Sequence, residues 1–278
     1  MPFVTLSHPT AQGGGLYYED QGQGRPVVLI HGWPLSGKSW EAQVGPLVAA
    51  GFRVIIYDRR GFGASCRPWE GYDYDVLAQD LHDLMQALEL RDATLVGFSM
   101  GGGEVARYLS AYGSERVAQA VLAAAVPPYL LKTADNPEGA LAESDVREMQ
   151  AAVTKDRQAF LEDFTQKFFT PKGGQLAVSE DQRLFAKALA STASPKGSVD
   201  CVEAFACTDF RADLEQMALP VLVLHGDSDQ TVPLAASGER AHTMLANSQL
   251  QVLEGAPHGC NVSHAEAFNQ ALIHFLKA

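Results

Sequence analysis

Apolar runs of strand length recur along the chain, each ending in glycine or a polar residue. "PVVLIHG" (26–32), "RVIIYDRRG" (53–61), "ATLVGFS" (93–99), "VAQAVLAAAV" (117–126) and "PVLVLHGDSD" (220–229) share this form. Such short, near-continuous apolar runs predict parallel strands buried on both faces. "VTLSHPT" and "GLYYEDQG" near the N-terminus predict an antiparallel hairpin that joins the sheet, and "SQLQVL" predicts a last strand. Helical periodicity fills the gaps. Residues 76–90 set Leu81, Leu84, Met85 and Leu88 on one face, as an amphipathic helix requires.

From about Tyr129 to Leu214 the strand pattern stops, and "ESDVREMQAAVTKDRQAFLEDFTQKFF" reads as charged helix. A helical stretch between two strands of one sheet predicts an inserted cap over residues 129–214, with an α/β core formed by 1–128 and 215–278. The closing segment, 263–278, opens with the capping-box pattern Ser263-His264-Ala265-Glu266. It then carries Phe268, Leu272 and Phe275 on one stripe.

Composition narrows the partners. The 278 residues are 46% hydrophobic, enough for a large core, and 21 Lys+Arg against 33 Asp+Glu give a formal charge of −12. With no basic run, that balance argues against binding nucleic acid or an anionic membrane. The first residues lack the basic and apolar regions of a signal peptide, and no apolar stretch is long enough to span a bilayer. Cys66, Cys201, Cys207 and Cys260 are too sparse for a disulfide framework, which predicts reduced thiols and a cytoplasmic protein.

The chemistry begins at "VGFSMGGG". Three consecutive glycines are poor helix material, yet they open the helix that follows a strand. Gly97-Phe98-Ser99-Met100-Gly101 matches G-x-S-x-G, in which a serine on a strained strand-to-helix turn needs neighbours without a Cβ. The turn lifts Ser99 Oγ above the sheet, and the helix N-terminus aims free N–H groups at the same point. Gly101-x-Gly103-x-x-Ala106 read as a dinucleotide fingerprint fails, because those glycines fall inside the helix and no acid-ended strand follows about 20 residues on.

A weak serine nucleophile needs a base, and the base needs an orienting acid. After the Ser99 elbow, "LHGDSDQTVP" offers Asp227 and Asp229 at a strand end, and "EGAPHGCNVSH" offers His258 in the order this architecture uses. Asp227 directly follows Gly226 and is expected to serve the turn, leaving Asp229 to meet His258. Metal ligation by His258, Cys260 and His264 fits no standard closed site. The loop "HGWPLSGKSW" is expected to supply one oxyanion N–H from Trp33, the other coming from Met100. Trp33, Pro34, Phe98, Met100 and Val232 are the expected pocket residues. Pro34 has no N–H and restricts the Trp33 peptide, so the Trp33 carbonyl is a candidate acceptor for the second O–H of a peroxide. His31, His225 and the charges of Asp58-Arg59-Arg60 are expected to fix loops.

With "HGWPLSG", "YDRRGFGAS", "GFSMGGGE", "AVPP", "KTADNPEG", "HGDSDQTVP" and "APHG", the chain resembles, nearly end to end, α/β-hydrolases of the cofactor-free haloperoxidase, arylesterase and perhydrolase group. The resemblance implies a Ser99–Asp229–His258 triad, a helical cap over an acyl pocket, no heme or metal, and a trimer or multiple of trimers. It also implies hydrolysis of small esters and peracid formation from carboxylic acids and hydrogen peroxide, hence bromide oxidation. Where relatives often carry an apolar residue after Pro-His-Gly, this chain has Cys260 and Asn261. A lactamase or carbon–carbon hydrolase on the same triad stays open, as does a hydrolase-like binding protein without turnover, although an intact triad argues against the last. Serine at position 99 disfavours dehalogenase or epoxide-hydrolase chemistry, which needs a carboxylate there.

Overall fold

The predicted apolar runs lie side by side in a computed structural model that describes residues 2–7 and 14–278. The strands are β1 (Phe3–Thr5), β2 (Gly15–Gln21), β3 (Pro26–Ile30), β4 (Arg53–Tyr57), β5 (Ala93–Phe98), β6 (Val117–Ala123), β7 (Val221–Gly226) and β8 (Ser248–Leu253). They form one sheet in the order β1-β2-β4-β3-β5-β6-β7-β8. From β4 to β8 every neighbouring pair is parallel, whereas β1–β2 and β2–β4 are antiparallel. Full burial of β5 and β7 explains their near-continuous apolar sequence. At the edge, β8 alternates over its first residues, with Gln249 and Gln251 exposed. The hairpin pairs Phe3 with Tyr17, while residues 8–10 of its predicted first strand lie outside the described residues.

The helices of the core are α1 (Glu41–Ala49), α2 (Tyr74–Ala87) and α3 (Met100–Tyr112). Between β6 and β7 come α4 (Glu143–Lys155), α5 (Arg157–Phe168), α6 (Glu180–Ser191), α7 (Pro195–Cys207) and the short α8 (Arg211–Glu215). After β7 follow α9 (Gly238–Met244), α10 (Cys260–Ser263) and α11 (Ala265–Lys277). Helix α2 begins two residues before the periodicity suggests, because the Asp73 side chain accepts the Val76 N–H at 3.0 Å and caps it. Leu81, Leu84 and Met85 are fully buried, and Leu88 marks the helix end.

Two local expectations are corrected. The charged helical run is broken at Asp156, whose extended backbone ends α4 and whose carboxylate accepts the Gln158 and Ala159 N–H groups to start α5. The Ser263 capping box does not form. Ser263 belongs to α10, and α11 starts at Ala265 with His264 as its cap residue and no side-chain cap bond. Propensity favoured a cap at Ser263, but the short α10 ends there and uses its backbone first. The Phe268, Leu272 and Phe275 stripe is buried as the period requires. All four cysteines are free thiols. Among the described residues no helix is long and apolar enough to cross a membrane.

Candidate active site

Ser99 stands between β5 and α3 at φ 54° and ψ −119°, a conformation that a non-glycine residue adopts only under constraint. The constraint comes from both sides. Ser99 N–H donates to the Ala123 carbonyl at 2.9 Å, and the Ser99 carbonyl accepts from Gly102 at 3.0 Å and from Val126 at 3.2 Å. The glycines make room for this turn: a Cβ at Gly97 would overlap the Gly101 carbonyl, and one at Gly101 would lie 2.5 Å from the Ile30 oxygen. Hence the positions two residues before and after the serine can carry no side chain.

The loops after β7 and β8 bring the other two groups to it. His258 Nε2 lies 2.9 Å from Ser99 Oγ, and His258 Nδ1 lies 2.6 Å from Asp229 Oδ2. All three side chains are buried. Asp229 Oδ1 accepts the Thr231 and Val232 N–H groups, both at 2.8 Å, which fixes the carboxylate in its turn. Burial raises the cost of ionising Asp229. His258 and His225 beside it outweigh that cost and hold its carboxyl well below the usual carboxylate range. His225 donates from Nε2 to the Val232 carbonyl at 2.8 Å and stands 3.3 Å from Asp229 Oδ2, so it braces the acid turn. Asp227 is exposed and accepts the Gly255 N–H at 2.8 Å, tying that turn to the loop after β8.

A second network holds the loop after β3. His31 Nδ1 lies 2.9 Å from the Gly32 carbonyl, and its Nε2 accepts the Arg59 N–H at 3.0 Å. Burial, then the adjacent Arg59 charge, pushes the His31 imidazole well below its ordinary range, so it is neutral there. Arg59 pairs with Glu104 of α3, which also accepts the Tyr57 hydroxyl at 2.6 Å. Arg60 pairs with Asp80, and Asp58 accepts the Gly37 and Ala64 N–H groups. Among the described residues neither the Trp33 nor the Met100 N–H donates to another protein group. Both are free for a ligand.

A cavity of about 90 Å3 opens on Ser99 and His258. Trp33 and Val232 line it, as expected. Pro34, Phe98 and Met100 are not among its lining residues. Phe98 lies beneath the site with its ring 5.3 Å from that of His258, because strand alternation turns it to the other face from Ser99. Met100 is buried in the core, and Pro34 is buried in the loop next to Trp33 in sequence. In their place the wall takes Met149, Phe164, Lys167 and Phe205 from α4, α5 and α7, together with Thr231. Helical period marks which face of such a helix is buried but not what it is buried against, so these residues carried no signal. Thr231 carried one, as the neighbour of Val232. Trp33 joins the two parts: its indole N–H donates to the Ser198 carbonyl at 3.0 Å and its ring abuts Phe164 and Phe205. Cys260 is buried in the core, away from the cavity, and His264 Nδ1 lies against Ser263 Oγ at 3.0 Å. Among the described residues no group of three or more His, Cys, Asp or Glu is gathered closely enough to hold a metal ion.

A mostly parallel sheet, a strained serine after its fifth strand, and an acid and a histidine from later loops define an α/β hydrolase. The family model of the α/β hydrolase fold matches residues 25–265, and the chain belongs to that family, in its non-heme haloperoxidase group. A putative non-heme chloroperoxidase of Synechocystis is 48% identical across the whole of both chains. The crystal structure of a bromoperoxidase from Bacillus anthracis superposes with a TM-score of 0.96 at 53% identity, covering 100% of this chain and 99% of that one. A bifunctional esterase/perhydrolase of Acinetobacter calcoaceticus is 37% identical, again over the full length of both.

Proposed function

We propose that the protein is a serine esterase for small carboxylic esters that works through an acyl-enzyme on Ser99 and also forms peracids with hydrogen peroxide. The observation that carries this reading is the continuous relay from Ser99 Oγ through His258 to Asp229 at the floor of an apolar cavity. Ser99 Oγ attacks the ester carbonyl while His258 Nε2 takes its proton. Asp229 holds the imidazole tautomer and balances the imidazolium that forms. The carbonyl oxygen becomes an oxyanion facing the Trp33 and Met100 N–H groups. His258 then returns the proton to the departing alcohol, and the acyl group stays on Ser99.

Water or hydrogen peroxide discharges the acyl-enzyme, giving carboxylic acid or peracid, with His258 again taking and returning one proton. Running the first half-reaction from a carboxylic acid releases water in place of the alcohol. A peracid leaving the site oxidises bromide to hypobromous acid and becomes carboxylate, which accounts for a haloperoxidase name without any redox group on the protein. The full-length likeness to an esterase/perhydrolase supports both activities. On this reading the helices between β6 and β7 act as a cap. The protein works in the cytoplasm as a homo-oligomer, a trimer or a multiple of one, and the exposed Leu184 and Phe185 of α6 offer apolar surface for assembly.

The test uses one small ester and its parent acid, with and without peroxide and bromide, on the wild type and Ser99→Ala. Ester hydrolysis and peracid formation are both expected to fall by on the order of 10³-fold or more in the variant. A fluorophosphonate should label the wild type and not the variant. A Ser99→Ala protein that keeps most of its turnover defeats the reading.

A further inference from the structure

At rest the imidazole of His258 is held at both nitrogens, by Asp229 and by Ser99. Turnover breaks one of these bonds. Once Nε2 has taken the serine proton, it must turn from Ser99 Oγ to the departing oxygen, and only the Nδ1 bond to Asp229 spans that exchange. The ring torsion of a histidine is intrinsically broad, so the side chain alone does not keep the plane. Another contact has to.

Two phenylalanines flank the ring. Phe98 lies 5.3 Å from it at an interplanar angle of 49°, and Phe168 lies 5.0 Å from it at 90°. T-shaped aromatic pairs at this separation are attractive and depend on orientation. Phe98 comes with the elbow, as the residue before Ser99. Phe168 comes from the end of α5, and two devices bring it in. Its carbonyl accepts the Gly259 N–H at 2.9 Å. Its ring also packs on the backbone beside His258, where a Cβ at Gly259 would lie 2.7 Å from the Phe168 ring and 2.4 Å from that of Phe169. Gly259 has a negative φ of −72°, so the approach of the rings, and not a left-handed backbone, requires glycine there. Phe168 is buried and is not among the residues lining the cavity at Ser99. It meets the base without lining the space for the substrate.

Resting on the esterase reading, we infer that Phe168 is a positioning residue for the catalytic base. Its ring keeps the His258 imidazole oriented while Nε2 passes the proton from Ser99 Oγ to the departing oxygen. The same contact serves when water or peroxide discharges the acyl-enzyme. A misplacement of about 1 Å in such a group can cost about 10²-fold in rate.

The experiment measures kcat and KM for one small ester, per folded molecule, in the wild type, Phe168→Leu and Phe168→Met. Each substitution is also made in a His258→Ala background. Both remove the ring and keep the carbonyl that holds Gly259, and the long, adaptable Met preserves the packing should Leu fail to fold. In either variant kcat should fall about tenfold or more while KM stays within about twofold. In the His258→Ala background the same substitutions should change the residual rate by less than about twofold, because a residue that acts through the base then has nothing to act on. An unchanged kcat per folded molecule overturns the inference while leaving the esterase intact. So does a rise in KM alone, or a loss that persists in full without His258. A folded wild type that hydrolyses no ester and takes no fluorophosphonate overturns the esterase reading itself, and this inference with it.

Discussion

Asp227 and Asp229 sit two positions apart in one turn and serve different ends. Asp229 faces His258 from a buried position, while Asp227 is exposed and pairs with a backbone N–H across the turn. Replacing Asp229 with Asn leaves the shape but supplies an amide N–H where His258 needs an acceptor, so the imidazole flips its tautomer. Asp229→Asn should lose about 10³–10⁴-fold in acylation rate. Asp227→Asn keeps an acceptor for the Gly255 N–H and should stay near wild-type turnover. Rates at equal folded fraction decide it, and the reverse ranking refutes the assignment. Ser99, Asp229 and His258 were legible as a set because the chain order and the strand ends specified them together. The loop-fixing part expected of His225 was legible too, but its 3.3 Å approach to Asp229 was not, because no local pattern encodes it.

Elements were read best where burial alone decides them. The strands from β3 to β7 need apolar side chains on both faces, so sequence and structure agree there closely. Helix ends depended on competition. At Asp156 a capping carboxylate split one periodic run into two helices, and at Ser263 a capping pattern lost to the short helix it belongs to. The loop between β3 and α1 illustrates the same limit: Trp33 reaches the cavity, whereas Pro34 is buried and does not line it. Pro34 can therefore act on the chemistry only through the peptide it shares with Trp33. Its ring and missing N–H limit how that carbonyl turns, and the carbonyl is the candidate acceptor for the second O–H of an attacking peroxide. Pro34→Leu should lower the ratio of peracid formation to ester hydrolysis several-fold, consistent with one hydrogen bond of about 1–2 kcal/mol made in that transition state. Assaying both products from one ester checks this; an unchanged ratio would make Pro34 a turn former only.

At the scale of the molecule, the loop that carries Trp33, the strand end at Tyr57 and the start of α3 are joined by His31, Arg59 and Glu104. This buried network makes overall stability sensitive to mild acid. The folded His31 stays neutral well below the ordinary imidazole range, whereas the unfolded chain takes up a proton as pH drops below about 6.5. Unfolded chains then bind more protons than folded ones, so stability is complete above about pH 6.5 and falls below it by up to about 1.4 kcal/mol per pH unit from this group. Urea midpoints between pH 5 and 7.5 should show that slope in the wild type and a shallower one in His31→Asn, even though the variant starts less stable. Parallel slopes would assign the acid sensitivity elsewhere. That His31 and the Arg59 charge fix loops was legible in the sequence, but their pairing with one another and with Glu104 was not, because the partners lie 28 and 73 positions away from His31 in the chain.

The helices over the cavity are tied to both reacting loops by hydrogen bonds. The Gly259 N–H, next to His258, donates to the Phe168 carbonyl at the end of α5, Lys172 donates to the Ser228 carbonyl, and the Gln230 side chain donates to the Thr170 carbonyl. Lifting these helices as a hinged door would drag the acid and the base away from Ser99. Traffic into the site must therefore pass the side chains at the rim, where the exposed Lys167 can swing on the picosecond-to-nanosecond scale of surface rotamers. Such a gate opens far faster than typical turnover. A clamp between α5 and the His258 loop should therefore leave turnover near that of the unclamped protein.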